Sequence, residues 1–340
     1  MPVRRRWLRW LLSILAGALF LWLASDRLRL WPDALTIEAP LLLVAAIALH
    51  VPYAVLRAMR LQYVLDPVVE NASNGAQPIV DRRVLYGSGL VSFFVLLVLP
   101  LKLGELSRPI LLTRGEQPGI RMTEAIGAVA LERLVDGLLI VGMLFGGLVV
   151  AKPRMHSDVV DVQTVGAWML AVFVVGLVVL VVAARDPERW SRFAARVAAL
   201  AGERAEALAA RVTGRFATTM RAVLDLRRSL RFAAWSIAYW AITVLQLWLV
   251  LQAVGLRLGP AEAAAIVAIV GLSIQLPGGP AQAGTFQVGT GVALGLFLDP
   301  AAVEGPGSTF AAVMYLLQFV GAGVVALPGI CLLARAKRPA

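Results

Sequence analysis

The sequence predicts an all-α polytopic membrane protein with about six full spans, two re-entrant helical hairpins in an inverted-repeat arrangement, and cytoplasmic N- and C-termini. Three observations predict this class: an apolar composition, basic residues at the ends of the apolar windows, and two windows interrupted by proline and glycine. Hydrophobic residues make up 59% of the 340 residues and charged residues only 16%. Soluble domains carry about 25% charged residues, so a soluble fold is excluded.

The net charge of +11 would suggest nucleic-acid binding in a soluble protein. Here the arginines cluster at window ends and in the long segment 185–231. Basic residues in those places set membrane topology and contact anionic lipid headgroups. We therefore expect anionic lipid, and not nucleic acid, as the partner of these charges.

Apolar windows follow one another along the whole chain, and most approach the roughly 18 residues needed to cross a bilayer. The first window is longer than the apolar part of a usual signal peptide, and "LASDR" is a poor cleavage site, so it is interpreted as a retained span. The windows lie near 7–24, 40–57, 84–99, 125–150, 165–184, 232–254, 261–276, 283–298 and 309–334.

Charge placement predicts that two of these segments turn back inside the membrane. The basic N-terminus "MPVRRRWLR", the arginine-rich segment 185–231 and the C-terminal "ARAKRPA" are all assigned to the cytoplasm. Counting spans between them makes 84–114 begin and end inside, and 261–298 begin and end outside. The alternative is that both are ordinary short spans and that one terminus is misassigned.

The same count divides the single transmembrane domain, 1–340, into parts. Residues 40–150, with hairpin 84–114, form a first inverted unit, and 232–334, with hairpin 261–298, form a second. Inverted units with broken helices are typical of transporters. Segment 185–231 is predicted to be a cytoplasmic amphipathic helix on the membrane surface, broken near Gly202 or Gly214, with either an anchoring or a regulatory role.

Charged residues inside membrane segments are costly, so they are candidates for function. Glu132 and Asp136 are four residues apart and share one helix face. An excess of basic groups suits a phosphate headgroup, because arginine matches phosphate with a planar fork of donors. The alternative is a structural ion-pair network that fixes the first hairpin to its neighbouring helix. The candidate substrate-binding charges are Arg57, Lys102, Glu105, Arg108, Glu132, Arg133 and Asp136.

The predicted hairpin apices are rich in proline and glycine, which break helices. Free N–H groups at the second apex, together with the Gln287 amide, could bind an anion; the alternative is that these residues only permit the turn. The apex residues are Pro100 and Gly104 in the first hairpin and Pro277, Gly278, Gly279, Pro280 and Gly284 in the second.

No metal site or cofactor is expected. Cys331 is the single cysteine, and His50 and His156 lack the spacing of metal ligands. The phosphate-binding pattern G-x-x-x-x-G-K-[ST] of ATP-driven proteins is not found in the sequence.

Two motifs resemble those of a known membrane family. "LPLKLGELSRPILLTR" followed by "EAIGAVALERLVDGLLIV" resembles the pattern P-x-(K/R)-x-G-E-x-x-R … E-R-x-x-D, and "IQLPGGPAQAGTFQ" resembles a second, Pro-Gly-rich pattern. Both are typical of the lysylphosphatidylglycerol synthase transmembrane-region (flippase-like domain) family, and the resemblance covers roughly 40–334. Gln287 stands where the family usually has glutamate. The positions carried over are Pro100, Gly104, Glu105, Arg108, Glu132, Arg133 and Asp136.

The resemblance implies a lipid flippase of a bacterial-type cytoplasmic (inner) membrane. It would move a phospholipid or related phosphate-headgroup lipid through a polar cavity between the hairpins. The segment 185–231 is too short for the family's soluble synthase domain, so we expect a non-enzyme. The alternative is a membrane transferase, or a transporter, acting on polyprenyl-phosphate-linked sugars; a hopanoid-like cargo and a scaffold role also stay open. A homo-oligomer and a separate synthase partner are both compatible with the sequence.

Overall fold

The computed structural model describes residues 2–30, 32, 35–77, 79–99, 103–151, 162–199, 202, 225–276 and 278–336. Every regular element within these ranges is a helix, so the predicted all-α class is confirmed. Among the described residues, four helical segments are long and apolar enough to cross a membrane: Pro40–Ala72, Met122–Ala151, Leu226–Ala253 and Pro300–Ala336. Trp10–Ser25 and Pro260–Ser273 are shorter apolar helices. The count of six full spans stays a prediction.

The helices follow the predicted windows closely. They are α1 (Pro2–Ser25), α2 (Pro40–Met59), α3 (Gln62–Ala72), α4 (Arg82–Val98), α5 (Ser107–Thr113), α6 (Met122–Ala151), α7 (Val162–Arg185), α8 (Pro187–Ala199), α9 (Leu226–Ala253), α10 (Pro260–Ser273), α11 (Thr285–Gly295), α12 (Pro300–Glu304) and α13 (Pro306–Ala336). Short 3₁₀ turns, Leu103–Leu106 and Pro280–Gln282, precede α5 and α11.

Several helix starts have a local cause in the sequence. Asp81 and Asp225 cap α4 and α9 by accepting hydrogen bonds from backbone N–H groups of the first turn. Proline occupies the first position of α2 and α10, where its missing N–H costs nothing. Capping residues and prolines therefore define the residues at which these helices begin.

Helix α3 lies between the predicted windows 40–57 and 84–99, where the sequence analysis placed no helix. Val64, Leu65 and Val69 form one buried face of α3, which packs against Leu112 and the first part of α6. This apolar face is too short to stand out as a membrane window, and Pro67 lies inside the helix. The polar stretch 73–77, which follows α3, forms a turn.

The helix pair α4 and α5 starts and finishes at one end of the molecule. Arg82, at the start of α4, pairs with Asp66 of α3 at 2.9 Å. A Cβ at Gly115, just after α5, would lie 2.5 Å from the Val84 side chain. Arg228, at the start of α9, pairs with Glu70 at the same end, at 3.1 Å.

The pair α10 and α11 starts and finishes at the opposite end. Helix α9 reaches that end at Ala253, whose carbonyl accepts from the Glu38 N–H at 2.8 Å. Trp248 of α9 donates to the Leu258 carbonyl just before α10, and Arg27 after α1 lies against Gly295 at the end of α11. Arg29 pairs with Glu304 there at 2.8 Å.

Helices of the first half of the chain pack against helices of the second half. Helix α2 packs on α9, the corresponding first helix of the second half. Helix α4 packs on α13, and α10 packs on α6, so the first arm of each pair contacts the last helix of the other half. This reciprocal contact pattern is what two similar units related by a pseudo-two-fold axis would produce.

Helix α1 packs its middle against the break between α10 and α11. The Ser13 hydroxyl donates to the Gly278 carbonyl at 2.9 Å. A Cβ at Gly17 would lie 2.7 Å from Gly279 Cα, so the two backbones touch. Gly284 takes the positive φ of 88° that lets the chain turn into α11 beside Gly17.

Helices α7 and α8 lie at the periphery of the described structure. Helix α7 packs on α6, where Phe173 lies over Gly137. The amphipathic prediction for 185–231 falls partly on α8, which ends before Gly202, a residue with a φ of +109°. Gly214 and the rest of 203–224 lie outside the described residues.

Candidate functional site

The breaks of the two helix pairs meet in the middle of the structure. Leu96 and Leu99, at the end of α4, line one small gap together with Gly278, Gln282 and Thr285 from the break between α10 and α11. Beside this gap lies a cavity of about 390 Å³. Both breaks therefore face the same interior space.

The wall of this cavity combines charged, amide and aromatic side chains from both halves of the chain. Charged groups come from α2, the first break and α6, and amides come mostly from the second half. The charged lining is Arg57, Glu105, Arg133 and Asp136; the amide lining is Gln246, Gln275, Gln282 and Gln318; the aromatic lining is Tyr53, Phe93, Phe173, Tyr239, Trp240, Phe286 and Phe310.

Next to the cavity, Glu132 joins two arginines in a buried ion-pair network. Its Oε1 pairs with Arg60 Nη2 at 2.6 Å, and its Oε2 pairs with Arg108 Nη1 at 2.5 Å. These three side chains are at most 5% exposed. Glu132 therefore links α6 to the end of α2 and to α5.

Asp136, one turn further along α6, completes the network. Both of its oxygens accept hydrogen bonds from Arg60, and Oδ1 also accepts from the Trp240 indole at 2.9 Å. Arg60 lies 4.6 Å above the Tyr239 ring, and Arg108 also donates to the Ala58 carbonyl. Removing one partner of such a network leaves an uncompensated buried charge, which costs about 3–5 kcal/mol.

Glu105 and Arg133 form a separate pair in the cavity wall. Their side chains are 3.1 Å apart and about one-third exposed. Arg133 thus points from α6 toward the first break. An exposed pair of this kind contributes about 0–1 kcal/mol, so it can separate at little cost.

Arg57 presents to the cavity a charge that has no carboxylate in ion-pair contact. It is 6% exposed, and within the described part of the chain it has no carboxylate partner. Its guanidinium has a long 3.4 Å contact to the Gly89 carbonyl and lies 4.8 Å above the Phe93 ring. A buried cation without a counter-ion is expensive, so this position favours an anionic ligand.

The remaining predicted positions lie in or beside the breaks. Gln287 accepts a hydrogen bond from the Gly284 N–H at 2.8 Å, so its amide caps α11 and does not line the cavity. Gly104 fits against the backbone of Leu96, where a Cβ would clash. Pro280 begins the 3₁₀ turn before α11. Pro100, Lys102 and Pro277 lie outside the described residues.

The sequence missed several residues that the structure brings to the site. Arg60 follows the second apolar window, 40–57, and is not among the candidate substrate-binding charges, because an arginine at a window end does not reveal whether it is buried or reaches the headgroups. The neutral lining residues carried a weaker signal, a polar group within an apolar window. They are Tyr53, Tyr239, Trp240, Gln246, Gln275, Gln282 and Gln318.

Comparison with known proteins identifies a family. A family model described as "Lysylphosphatidylglycerol synthase TM region" matches residues 10–331, and this match confirms the resemblance noted in the sequence. No curated protein and no solved structure matched the chain. In the described residues, no group of three or more His, Cys, Asp or Glu side chains is arranged to hold a metal ion.

Proposed function

The chain belongs to the lysylphosphatidylglycerol synthase TM region family, and from that membership we propose that it translocates a phosphate-headgroup lipid across the cytoplasmic membrane of a bacterial-type cell. The family and the long apolar helices make it a multi-pass membrane protein related to lipid handling. In the proposed mechanism, α4–α5 and α10–α11 are re-entrant hairpins, and the headgroup crosses through the cavity between them.

One observation carries this proposal: buried Arg57 faces the cavity without a carboxylate partner. A lipid phosphate would supply the missing negative charge, and arginine binds phosphate through paired hydrogen bonds. The lipid tails would stay in the bilayer, where they are already in an apolar environment.

The geometry supports the hairpin arrangement in two ways. Each helix pair returns to the end of the molecule where it starts, and both breaks lie at the cavity. Irregular backbone at membrane depth is tolerated only where protein buries it or where it lines a wet cavity. Transport by this route breaks no covalent bond, so we propose a transporter and not an enzyme.

Reconstitution tests the proposal. Purified protein in vesicles should accelerate the transbilayer movement of acyl-labelled phospholipids, measured as the fraction accessible to a membrane-impermeant quencher. Movement no faster than in protein-free vesicles, for every headgroup tried, would contradict it.

A matched pair of variants tests the role of Arg57. Arg57→Gln should lower the transport rate at least about tenfold, because the phosphate loses its charge partner. Arg83→Gln removes one charge from an exposed position at the start of α4 and should transport normally. The thermal midpoint of Arg57→Gln should not fall, since an uncompensated buried charge is removed. Equal transport by the two variants would exclude Arg57 from the path.

A further inference from the structure

The side chains of the cavity wall also indicate which lipid headgroup the protein carries. Resting on the proposed function, we infer that the cavity selects a headgroup with one phosphate followed by a hydroxyl-rich portion that lacks an amine. Three features of the wall carry this inference: the pairing of its carboxylates, the buried charge of Arg57 that has no ion-pair partner, and a group of amide side chains.

The carboxylates of the described lining are already occupied. Asp136 accepts from Arg60 with both oxygens and from Trp240 with one of them. Glu105 is paired with Arg133. An ammonium group entering the cavity could reach a carboxylate only by displacing a guanidinium, most readily Arg133 from Glu105, and that guanidinium would then be a second unpaired cation in the same wall. The ammonium group would also meet the uncompensated positive charge of Arg57, and like charges repel strongly where water is scarce.

The amide side chains suit hydroxyl groups. An amide offers two donors and an acceptor, which matches a hydroxyl that both gives and accepts a hydrogen bond. Among the described residues, the side-chain amides of Gln282 and Gln318 have no hydrogen-bond partner in the structure. The Nε2 of Gln246 donates a hydrogen bond to the Ala46 carbonyl at 2.7 Å, and its Oε1 remains as an acceptor.

The two kinds of group lie on different helices of the cavity wall. Arg57 belongs to α2 in the first half, whereas Gln246 and Gln318 belong to α9 and α13 in the second half. Because Arg57, Gln246 and Gln318 line one cavity, a headgroup with its phosphate at Arg57 would share that space with the amides. Glycerophospholipids with a glycerol headgroup and prenyl phosphates bearing a sugar share this chemistry.

A headgroup panel with the full-length protein tests the inference. Acyl-labelled phosphatidylglycerol should move at least about tenfold faster than phosphatidylethanolamine and lysylphosphatidylglycerol, which both carry amines. The fourth arm of the panel uses a prenyl-phosphate hexose, and the access of periodate to the sugar's diol measures its transbilayer movement. Comparing its rate with that of phosphatidylglycerol shows which of the two lipid sources the protein carries. Equal or faster movement of the amine lipids overturns the inference and leaves lipid transport standing. If no lipid moves, the proposed function fails with it.

A cavity variant sharpens the test. Gln318→Glu places an unpaired carboxylate in the wall and should bring the rate ratio between phosphatidylglycerol and the amine lipids close to one. Gln318→Asn keeps an amide and should preserve the wild-type ratio. An unchanged ratio of these transport rates in a folded Gln318→Glu protein contradicts the inference. If that variant does not fold, the headgroup panel with the wild-type protein tests the inference instead.

Discussion

The charged residues at the site fall into two groups: those held in a buried ion-pair network and those that line the cavity. Arg60, Arg108 and Glu132 are buried in one network, and each guanidinium has a carboxylate within 2.6 Å. Arg57 has no such partner, and the pair of Glu105 and Arg133 is partly exposed. The network therefore fits a structural role, and Arg57 is the charge placed to meet an anionic ligand.

Glu132→Gln tests the structural role. The change leaves Arg60 and Arg108 with one fewer negative charge, so the free energy of unfolding should fall by about 3–5 kcal/mol. Thermal unfolding of the detergent-solubilised protein measures this loss. Glu105→Gln is the matched control, because its partly exposed pair contributes only about 0–1 kcal/mol. A Glu132→Gln protein as stable as wild type would show that the network is not needed for the fold.

Residue spacing predicted part of this network. Glu132 and Asp136 are four apart, and the structure places both on the face that meets Arg60. Arg60 itself could not be assigned, because an arginine near the end of an apolar window looks the same whether it reaches the headgroups or turns inward. Gln246 and Gln318 could not be assigned either, since which helix faces meet is decided by tertiary packing.

At the level of elements, the second helix pair depends on close backbone contact with α1. Gly17 and Gly279 touch, and Ser13 holds the Gly278 carbonyl. Small residues let helix backbones approach where lipid provides no hydrophobic force. Helix α1 thereby positions the break that faces the cavity.

Gly17→Leu should separate α1 from this break. The added side chain meets the Gly279 backbone, and overpacking of this kind costs about 1–3 kcal/mol. Thermal unfolding should show the loss, and the rate of lipid transport should fall with it. Gly142→Leu in α6 is the control, because a Cβ there meets nothing within 4 Å. Equal stability of the two variants would show that the α1 contact is incidental.

The sequence predicted most elements because apolar windows and capping residues are local signals. The windows near 125–150 and 232–254 became α6 and α9 with ends shifted by a few residues. Helix α3 was missed because its apolar face is short and its C-terminal end is polar. Its stability comes from packing on Leu112 and α6, which a single sequence does not display.

For the whole molecule, the ion pairs define two opposite ends. Arg228 with Glu70 marks one end, and Arg29 with Glu304 marks the other. The count of basic residues predicts that the first end faces the cytoplasm. Residues at the two ends should therefore be labelled from opposite sides of the membrane.

Single cysteines in a Cys331→Ser background test this topology. Arg83→Cys should react with an impermeant thiol reagent only after the cytoplasmic side is opened, and Glu304→Cys should react in intact cells. Labelling intensity on the purified chain measures both. Reaction of both cysteines from one side would overturn the proposed inverted arrangement.

The most direct test of the account is to obstruct the cavity reversibly. Gln318 lines the cavity, and Leu316, two residues earlier on α13, is 51% exposed. In the Cys331→Ser background, Gln318→Cys treated with a bulky methanethiosulfonate should lose lipid transport in proportion to modification, and a reductant should restore it. Leu316→Cys, modified to the same extent, should transport at its unmodified rate. Full-rate transport by completely modified Gln318→Cys protein would contradict passage of the headgroup through this cavity.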